Sequence, residues 1–387
     1  MEYKRLGDYI REVNVRNKDL KVTKLVGLTI DKAFIPSVAN VIGTDLSNYK
    51  VIRKEQFACS LMQVSRDGKM PVAMFEEDAA IMSPAYPMFG VIDKKTLLPQ
   101  YLMMWFSRSE FDREASYYAV GGVRGSLTWE DFCNMKFPVP SIDRQREIVE
   151  EYETLSRRIR LNEQMIEKLE ATAQALYRKM FVDGVDKENL PEGWHSAVLG
   201  DYCEVITKGT TPTNYDEKGN VKFVKAETIT INHSIDSSLF AHIDEDTHNK
   251  DLKRSILRED DLLFTIAGTL GKFCIVDKSI LPANTNQAVA IIRVDKTRIS
   301  PIDIYAMFIG GIQEDYCKRN VQQAVQANLS LETISNMPIV IPPYELLVVF
   351  HEQVSTIFHS IQLHQQENSK LSELQSLLLA KMGNLKQ

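Results

Sequence analysis

From Asp143 to Val182 the apolar residues fall on two seams, each repeating every seven residues. One seam carries Tyr152, Ile159, Ile166, Ala173 and Met180, the other Ile148, Leu155, Asn162, Leu169 and Leu176, with charged residues nearly everywhere between. A heptad stripe kept for about five repeats predicts one long helix whose narrow apolar face needs a helical partner. No Gly or Pro interrupts the stretch, Pro138 and Pro140 precede it, and Asp183-Gly184 follows with Pro191 beyond, so both ends are marked. The same spacing returns from Tyr344 to Leu385. Here Leu347, Val354, Ile361, Asn368, Gln375 and Met382 form one seam, and Phe350, Ile357, His364, Leu371, Leu378 and Leu385 the other. Two such helices, each about 60 Å long at ~1.5 Å per residue, suit each other as an antiparallel intramolecular coiled coil. Packing of each helix on its own globular block, or dimerisation of the chain, satisfies the same pattern. Full antiparallel overlap brings Asn162 to the level of His364 and Asn368, a polar layer that fixes register at some cost in stability.

Outside the helices the chain repeats itself. Leu6-Gly7-Asp8-Tyr9 recurs as Leu199-Gly200-Asp201-Tyr202, and the stretch 51–60 parallels 256–265 as a charged turn running into a buried strand. SLTWEDFCNMKFPVP (126–140) matches NLSLETISNMPIVIP (328–342) at five of fifteen positions, and each copy leads into its long helix. Matches that keep their order signal an internal duplication. Short β-branched runs (Lys222–Val224, Leu262–Ile266, Phe273–Val276, Ala288–Val294) predict strands, and Gln100–Ser107 and Ile302–Ile309 predict short amphipathic helices. The fold class is therefore α/β or α+β, with two duplicated globular blocks separated by two long helices. The blocks span 1–142 and 195–342, the helices 143–182 and 343–387, and a charged Pro/Gly-bearing linker covers 183–194.

At 387 residues, 44% of them hydrophobic, the chain is long enough for more than one core. No apolar run approaches the ~18 residues of a membrane span, and the start MEYKRLGDYIREV lacks an apolar signal core; a soluble, cytoplasmic protein is expected. Five singly scattered cysteines argue against a zinc site or a disulfide framework. The net charge of -6 is spread thinly: the first block holds 19 Lys+Arg against 17 Asp+Glu, the second 15 against 19. Neither is a basic domain, so nucleic-acid contact has to come from local patches or from partners that share the phosphates.

Motifs for chemistry are missing. Gly268-Thr269-Leu270-Gly271-Lys272-Phe273 has the wrong spacing for a phosphate-binding loop and predicts a hairpin turn. Ile341-Pro342-Pro343-Tyr344 has the prolines and Tyr of an amino-methyltransferase motif, but Ile stands where an amide or carboxylate must hold the amine, and no Gly-rich cofactor loop accompanies it. His242 and His248 are six apart, and His351, His359 and His364 lie on the C-terminal helix, which is not metal-ligand spacing. No nucleophile–base pair stands out, so neither catalytic residues nor a bound metal are expected.

Polar loops remain, of the kind that reads base edges. The first block offers Arg16-Asn17-Lys18, Arg66 with Lys69, and Arg124 with Ser126 in a Gly-flanked loop. The second offers Lys208, Thr210 and Thr211, then Lys272, Asn286 and Gln287, and finally Gln323, Gln326 and Asn328 in a Gln-rich run. Arg pairs with guanine and Asn or Gln with adenine in the major groove, and glycines let a loop approach phosphate closely. Each loop alone reads first as ordinary solvated surface; as a set occurring in both blocks they point to DNA. Arg124, Lys208 and Gln326 are the foremost candidates.

The order of block, heptad helix, block and heptad helix resembles the specificity subunits of type I restriction-modification systems. FPVPSIDRQREIV (137–149), LEATAQALYRKMF (169–181), LPEGW (190–194), TKGTTPTNY (207–215) and LREDDLLF (257–264) carry the likeness, which spans essentially the whole chain. IPPYELLVVF (341–350) departs from it, with Leu346 and Leu347 where the family usually has Glu-Gln. The resemblance implies two target recognition domains, each reading half of a split double-stranded DNA sequence. It implies an antiparallel helical spacer with Leu155, Ile159, Asn162, Ile166, Leu169 and Leu176 facing Val354, Ile357, Ile361, His364, Leu371 and Leu378. It also implies docking of two methyltransferase subunits and a restriction subunit. S-adenosylmethionine, ATP and Mg would belong to those partners and none to this chain, which accounts for the missing catalytic motifs. A coiled-coil adaptor binding only proteins is the rival reading; a stand-alone DNA-modifying enzyme is a weaker one.

Overall fold

The structure, a computed structural model, describes residues 3–37, 43–62, 64–120, 125–186, 188–321 and 328–383. The chain forms two compact units, Met1–Arg158 with Leu371–Gln387, and Ile159–Lys370. Each unit therefore contains one globular block and a part of both long helices.

The first unit is built on an antiparallel sheet of strands β1 (Ile10–Glu12), β2 (Gln56–Cys59), β3 (Val72–Met74) and β4 (Met88–Val91), in the order β1-β4-β2-β3. The second repeats it with β5 (Cys203–Lys208), β6 (Leu262–Thr265), β7 (Phe273–Ile275) and β8 (Val289–Val294), in the order β5-β8-β6-β7. One short helix covers each sheet, α1 (Pro99–Phe106) in the first and α3 (Pro301–Ile309) in the second. Both open on a proline, whose fixed φ suits a first helical turn. Their inner faces carry Leu102 and Phe106, or Ile304 and Phe308, into the core.

The sequence repeats occupy matching places. Tyr3–Arg5 pairs with Lys136–Pro138 in the first unit, and His195–Val198 with Pro338–Ile341 in the second. Leu6 donates its N–H to the Met135 carbonyl (2.8 Å), as Leu199 does to Met337 (2.9 Å). Thr128 and Ser330 cap the short helices that follow, accepting from Asp131 and Thr333. Turns of one design precede β2 and β6: Glu55 and Asp260 both have positive φ (64° and 69°). The next side chain then accepts from the N–H of the turn's arginine, Gln56 from Arg53 and Asp261 from Arg258. The duplication is incomplete, because the second unit has a three-stranded sheet (Ala241–Ile243, Val221–Val224, Ala283–Thr285) where the first has two separate two-stranded ones.

The heptad stretches are single helices, α2 (Ile142–Phe181) and α4 (Tyr344–Met382); Leu385 lies outside the described residues. In the second unit Phe181 meets Phe350, with ring centroids 4.6 Å apart, and Asn162 meets Asn368. In the first, Ser156 meets Gln375, and Met382 shares a core with Ile148. Numbers rise along one helix as they fall along the other, so within each unit the pairing is antiparallel and intramolecular. Every described seam residue named above is buried or half-buried. The heptad pattern misses Tyr177, Phe181 and Phe358, which are buried because each helix also packs on the globular part of its unit.

Candidate nucleic-acid interface

Antiparallel pairing brings the end of β5, the end of β6 and the starts of β7 and β8 to one edge of the second sheet: Lys208 stands opposite Ala290, Thr265 opposite Val289, and Phe264 opposite Phe273. The loops leaving these strand ends contain most of the polar candidates of that block. Thr211 donates its hydroxyl to the Gln287 side-chain carbonyl, locking the loop after β5 to the loop before β8. Gly209 makes this approach possible, since a Cβ there would overlap the Thr285 carbonyl. Asn328 bridges to Ala267, whose N–H reaches Ala288. Lys208, Thr210, Thr211, Gln287 and Asn328 are exposed along this edge and Asn286 is half-buried, its side chain accepting from Ala288 N–H. Gln323 and Gln326 lie outside the described residues.

The first unit has the same edge. Leu127 N–H donates to Leu61, as Leu329 does to Ile266, so 125–127 runs beside the connection between β2 and β3. Gly125, at φ 71°, sits against Ser65 with no room for a Cβ, and Ser126 beside it is half-buried. Arg66 and Lys69 are exposed in this connection and Lys18 is exposed in its own loop, while Arg124 lies outside the described residues.

Other candidates have structural employment that the sequence does not reveal. Asn17 is 1% exposed and closes its loop on itself, donating to the Val22 carbonyl (2.9 Å) and accepting from Val22 N–H (3.3 Å). In this structure the Asn17 side chain is therefore turned into its own loop and not toward solvent, unlike the exposed Lys18 beside it. Arg16 is half-buried and donates to the Asn48 carbonyl (2.6 Å). Lys69 pairs with Asp31 (3.0 Å), and the half-buried Lys272 donates to the Ile229 carbonyl (2.9 Å). The last two tether loops 29–33 and 229–235. A repeat, Thr29-Ile30-Asp31-Lys32-Ala33 and Thr230-Ile231-Asn232-His233-Ser234, was legible in the sequence as the signal for them.

Nothing among the described residues gathers three metal-ligating side chains, and no described helix is long and apolar enough to cross a membrane. Burial pushes the thiols of Cys203 and Cys317 up to about 12 and about 11, and those of Cys59 and Cys274 higher still. Burial thus favours the neutral thiol at all four, three of them buried and Cys203 half-buried. The other candidate surface is on the helices. In the second unit Asn162 donates to Asn368 (2.8 Å) and to Glu367 (2.9 Å), with His364 beside that carboxylate. In the first, a groove between α2 and α4 is lined by Leu155, Leu374, Leu377 and Leu378, the middle two exposed, together with Glu147, Glu150, Glu151 and Lys381.

The family model for the type I restriction modification DNA specificity domain matches residues 65–171 and 191–373. The chain belongs to this family. Two matches, separated by a short unmatched stretch, are what a specificity-domain duplication leaves. Among curated relatives, the MjaIX specificity subunit of Methanocaldococcus jannaschii is 22% identical over 308 residues, covering 76% of this chain and 70% of that one. The HindI specificity subunit of Haemophilus influenzae is 21% identical over 361 residues, covering 74% and 77%. The crystal structure of the type I restriction-modification S subunit from M. genitalium aligns over 100% of this chain and 96% of its own, with a TM-score of 0.53 at 13% identity. The specificity-subunit fold thus extends over the whole chain.

Proposed function

We propose that this chain is the sequence-reading subunit of a type I restriction-modification complex. Each unit reads one half of a bipartite double-stranded DNA target, and the long helices dock two methyltransferase subunits and a restriction subunit. The observation that carries this reading is the edge built twice: two sheets of one strand order, each bringing exposed Lys, Arg, Thr, Gln or Asn loops to the same end. Reading two half-sites needs two such edges, whereas an adaptor that binds only proteins needs the helices alone. The leucine groove, with Glu147, Glu150, Glu151 and Lys381 beside it, suits a protein partner, because leucines exposed side by side are covered more favourably by another chain than by water.

On this reading the chain performs no bond-breaking step. S-adenosylmethionine, ATP and Mg are held by the partners, and the assembly works on cytoplasmic DNA. Methylome sequencing of a host expressing this chain with a cognate methyltransferase tests it: a two-part methylated motif with an unread gap is expected. A methyltransferase that marks the same motif without the chain, or methylation by the purified chain alone, overturns it.

A further inference from the structure

The loops 29–33 and 229–235 are a matched pair. In both, a Thr N–H donates 2.9 Å to the carbonyl four residues on, and its hydroxyl accepts from that residue's N–H at 3.2 Å (Thr29 with Ala33, Thr230 with Ser234). The fourth position has positive φ in each, 63° at Lys32 and 53° at His233, an uncommon conformation for residues with a Cβ. That same residue anchors the loop inward. Lys32 donates to the Phe106 carbonyl and to Asp112 and lies over the Phe111 ring, while His233 stacks on Phe273 with centroids 4.0 Å apart. A lysine from the connection between the sheet's second and third strands in the chain ties each loop from outside, Lys69 to Asp31 and Lys272 to Ile229. The bracing holds the tip residue out: Ile30 is 40% exposed and Ile231 is 76% exposed.

A single exposed isoleucine needs no explanation. Two at one position of a duplicated, strained and doubly anchored loop, beside the edge that gathers the polar candidates, do. Ordering a loop costs conformational entropy, and here the ordering presents a rigid apolar tip. Of the groups that base pairs show in the major groove, the one apolar group is the C5-methyl of thymine. Resting on the proposed DNA-reading function, we propose that Ile30 and Ile231 are specificity-determining residues, each packing on a thymine methyl in the half-site read by its unit. Lys69 and Lys272 are positioning residues that hold the two tips in place.

The experiment uses the complete methyltransferase complex and duplexes carrying its methylated motif, with each thymine of both strands replaced in turn by uracil, which removes only the methyl. Wild type should lose about fourfold in methylation kcat/KM at one thymine position of each half-site, the value of one buried methyl group. Ile231→Ala should lose that thymine–uracil difference in one half-site and keep it in the other, Ile30→Ala should do the reverse, and Ile231→Val should retain both. Equal thymine and uracil rates at every position for wild type, or an unchanged ratio in Ile231→Ala, overturn the proposal; the wild-type scan stands even if a variant folds poorly. A complex with no two-part motif at all would instead defeat the DNA-reading function on which the proposal rests.

Discussion

Glu170 on α2 is mostly buried and one of its carboxylate oxygens has no hydrogen-bond partner. Burial first, and then the like charge of Glu167, raise its pKa from 4.5 to about 7; the Tyr305 phenol of α3 faces it. The folded protein therefore keeps a proton that the unfolded chain releases above pH 4.5, so this group's contribution favours folding at low pH and is lost between about pH 4.5 and 7. Glu170→Gln should raise the melting temperature at pH 8, with a gain on the order of 3 kcal/mol or less, and should show little gain at pH 4.5; an equal gain at both pH values would contradict it. Asp261 is 1% exposed and receives both Nε and Nη2 of Arg293, at 2.7 and 2.6 Å, as well as Arg258 N–H. Asp261→Ala leaves the guanidinium without its partner and should cost about 3–5 kcal/mol, read as a lowered denaturation midpoint of the second unit. Lys272 is tied to a carbonyl, so Lys272→Met should weaken DNA binding through the loop while leaving the slope of log K against log salt unchanged. A slope shallower by about 1 would mark it as a phosphate contact.

At the scale of elements, the helix seams are interrupted by one polar layer in each unit. Asn162 and Asn368 close the layer in the second, with Glu367 accepting the other amide proton; Gln375 donates to Ser156 in the first. Polar seam residues discriminate against slipped pairings, since a shift takes the Asn162 amide away from Asn368 and toward apolar seam neighbours such as Ile361 or Leu371. Asn162→Ala leaves the Asn368 carbonyl and the Glu367 carboxylate without that donor and should cost about 1–3 kcal/mol, measured by chemical denaturation. Asn162→Leu restores apolar area but not the amide's pairing preference, so it should recover stability over the Ala variant. Where the helices leave the seam they become part of the blocks. Phe181 packs against Trp194 as well as Phe350, and Tyr3 donates its hydroxyl to the Gly383 carbonyl at the end of α4.

For the molecule as a whole, each unit has its own sheet, its own core and its own candidate edge. Reading should therefore be modular. Exchanging 195–342 for the equivalent segment of a relative should change one half of the methylated motif and leave the other half as it was, checked by methylome sequencing. Simultaneous change of both halves would show that the units do not read independently.

Two long helices and the duplication were legible in the letters alone, whereas the heptads allowed several partners for each helix and the contacts of Phe181 with Phe350 and of Gln375 with Ser156 are what pair them antiparallel within each unit. Heptad spacing and ordered repeats are periodic signals, and a period survives without knowledge of neighbours. Leu6 and Leu199, Met135 and Met337, and Leu127 and Leu329 are identical pairs whose side chains are buried in the core of their unit and whose backbones make the same bonds, so matching letters stood for matching places. The candidate edge was legible as separate loops, but only the tertiary structure showed Thr211, Gln287 and Asn328 on one rim, since antiparallel pairing sets which strand ends meet. It also decided how polar side chains are employed. Asn17 and Lys272 read along the chain like ordinary polar loop residues, yet one turns inward and the other tethers a loop, because a hydrogen-bond partner is chosen by proximity in space. The bracing of the Ile30 and Ile231 tips belongs to the same class: their anchors Phe106 and Phe273 are distant in sequence and come within reach only when each sheet and its covering helix are assembled.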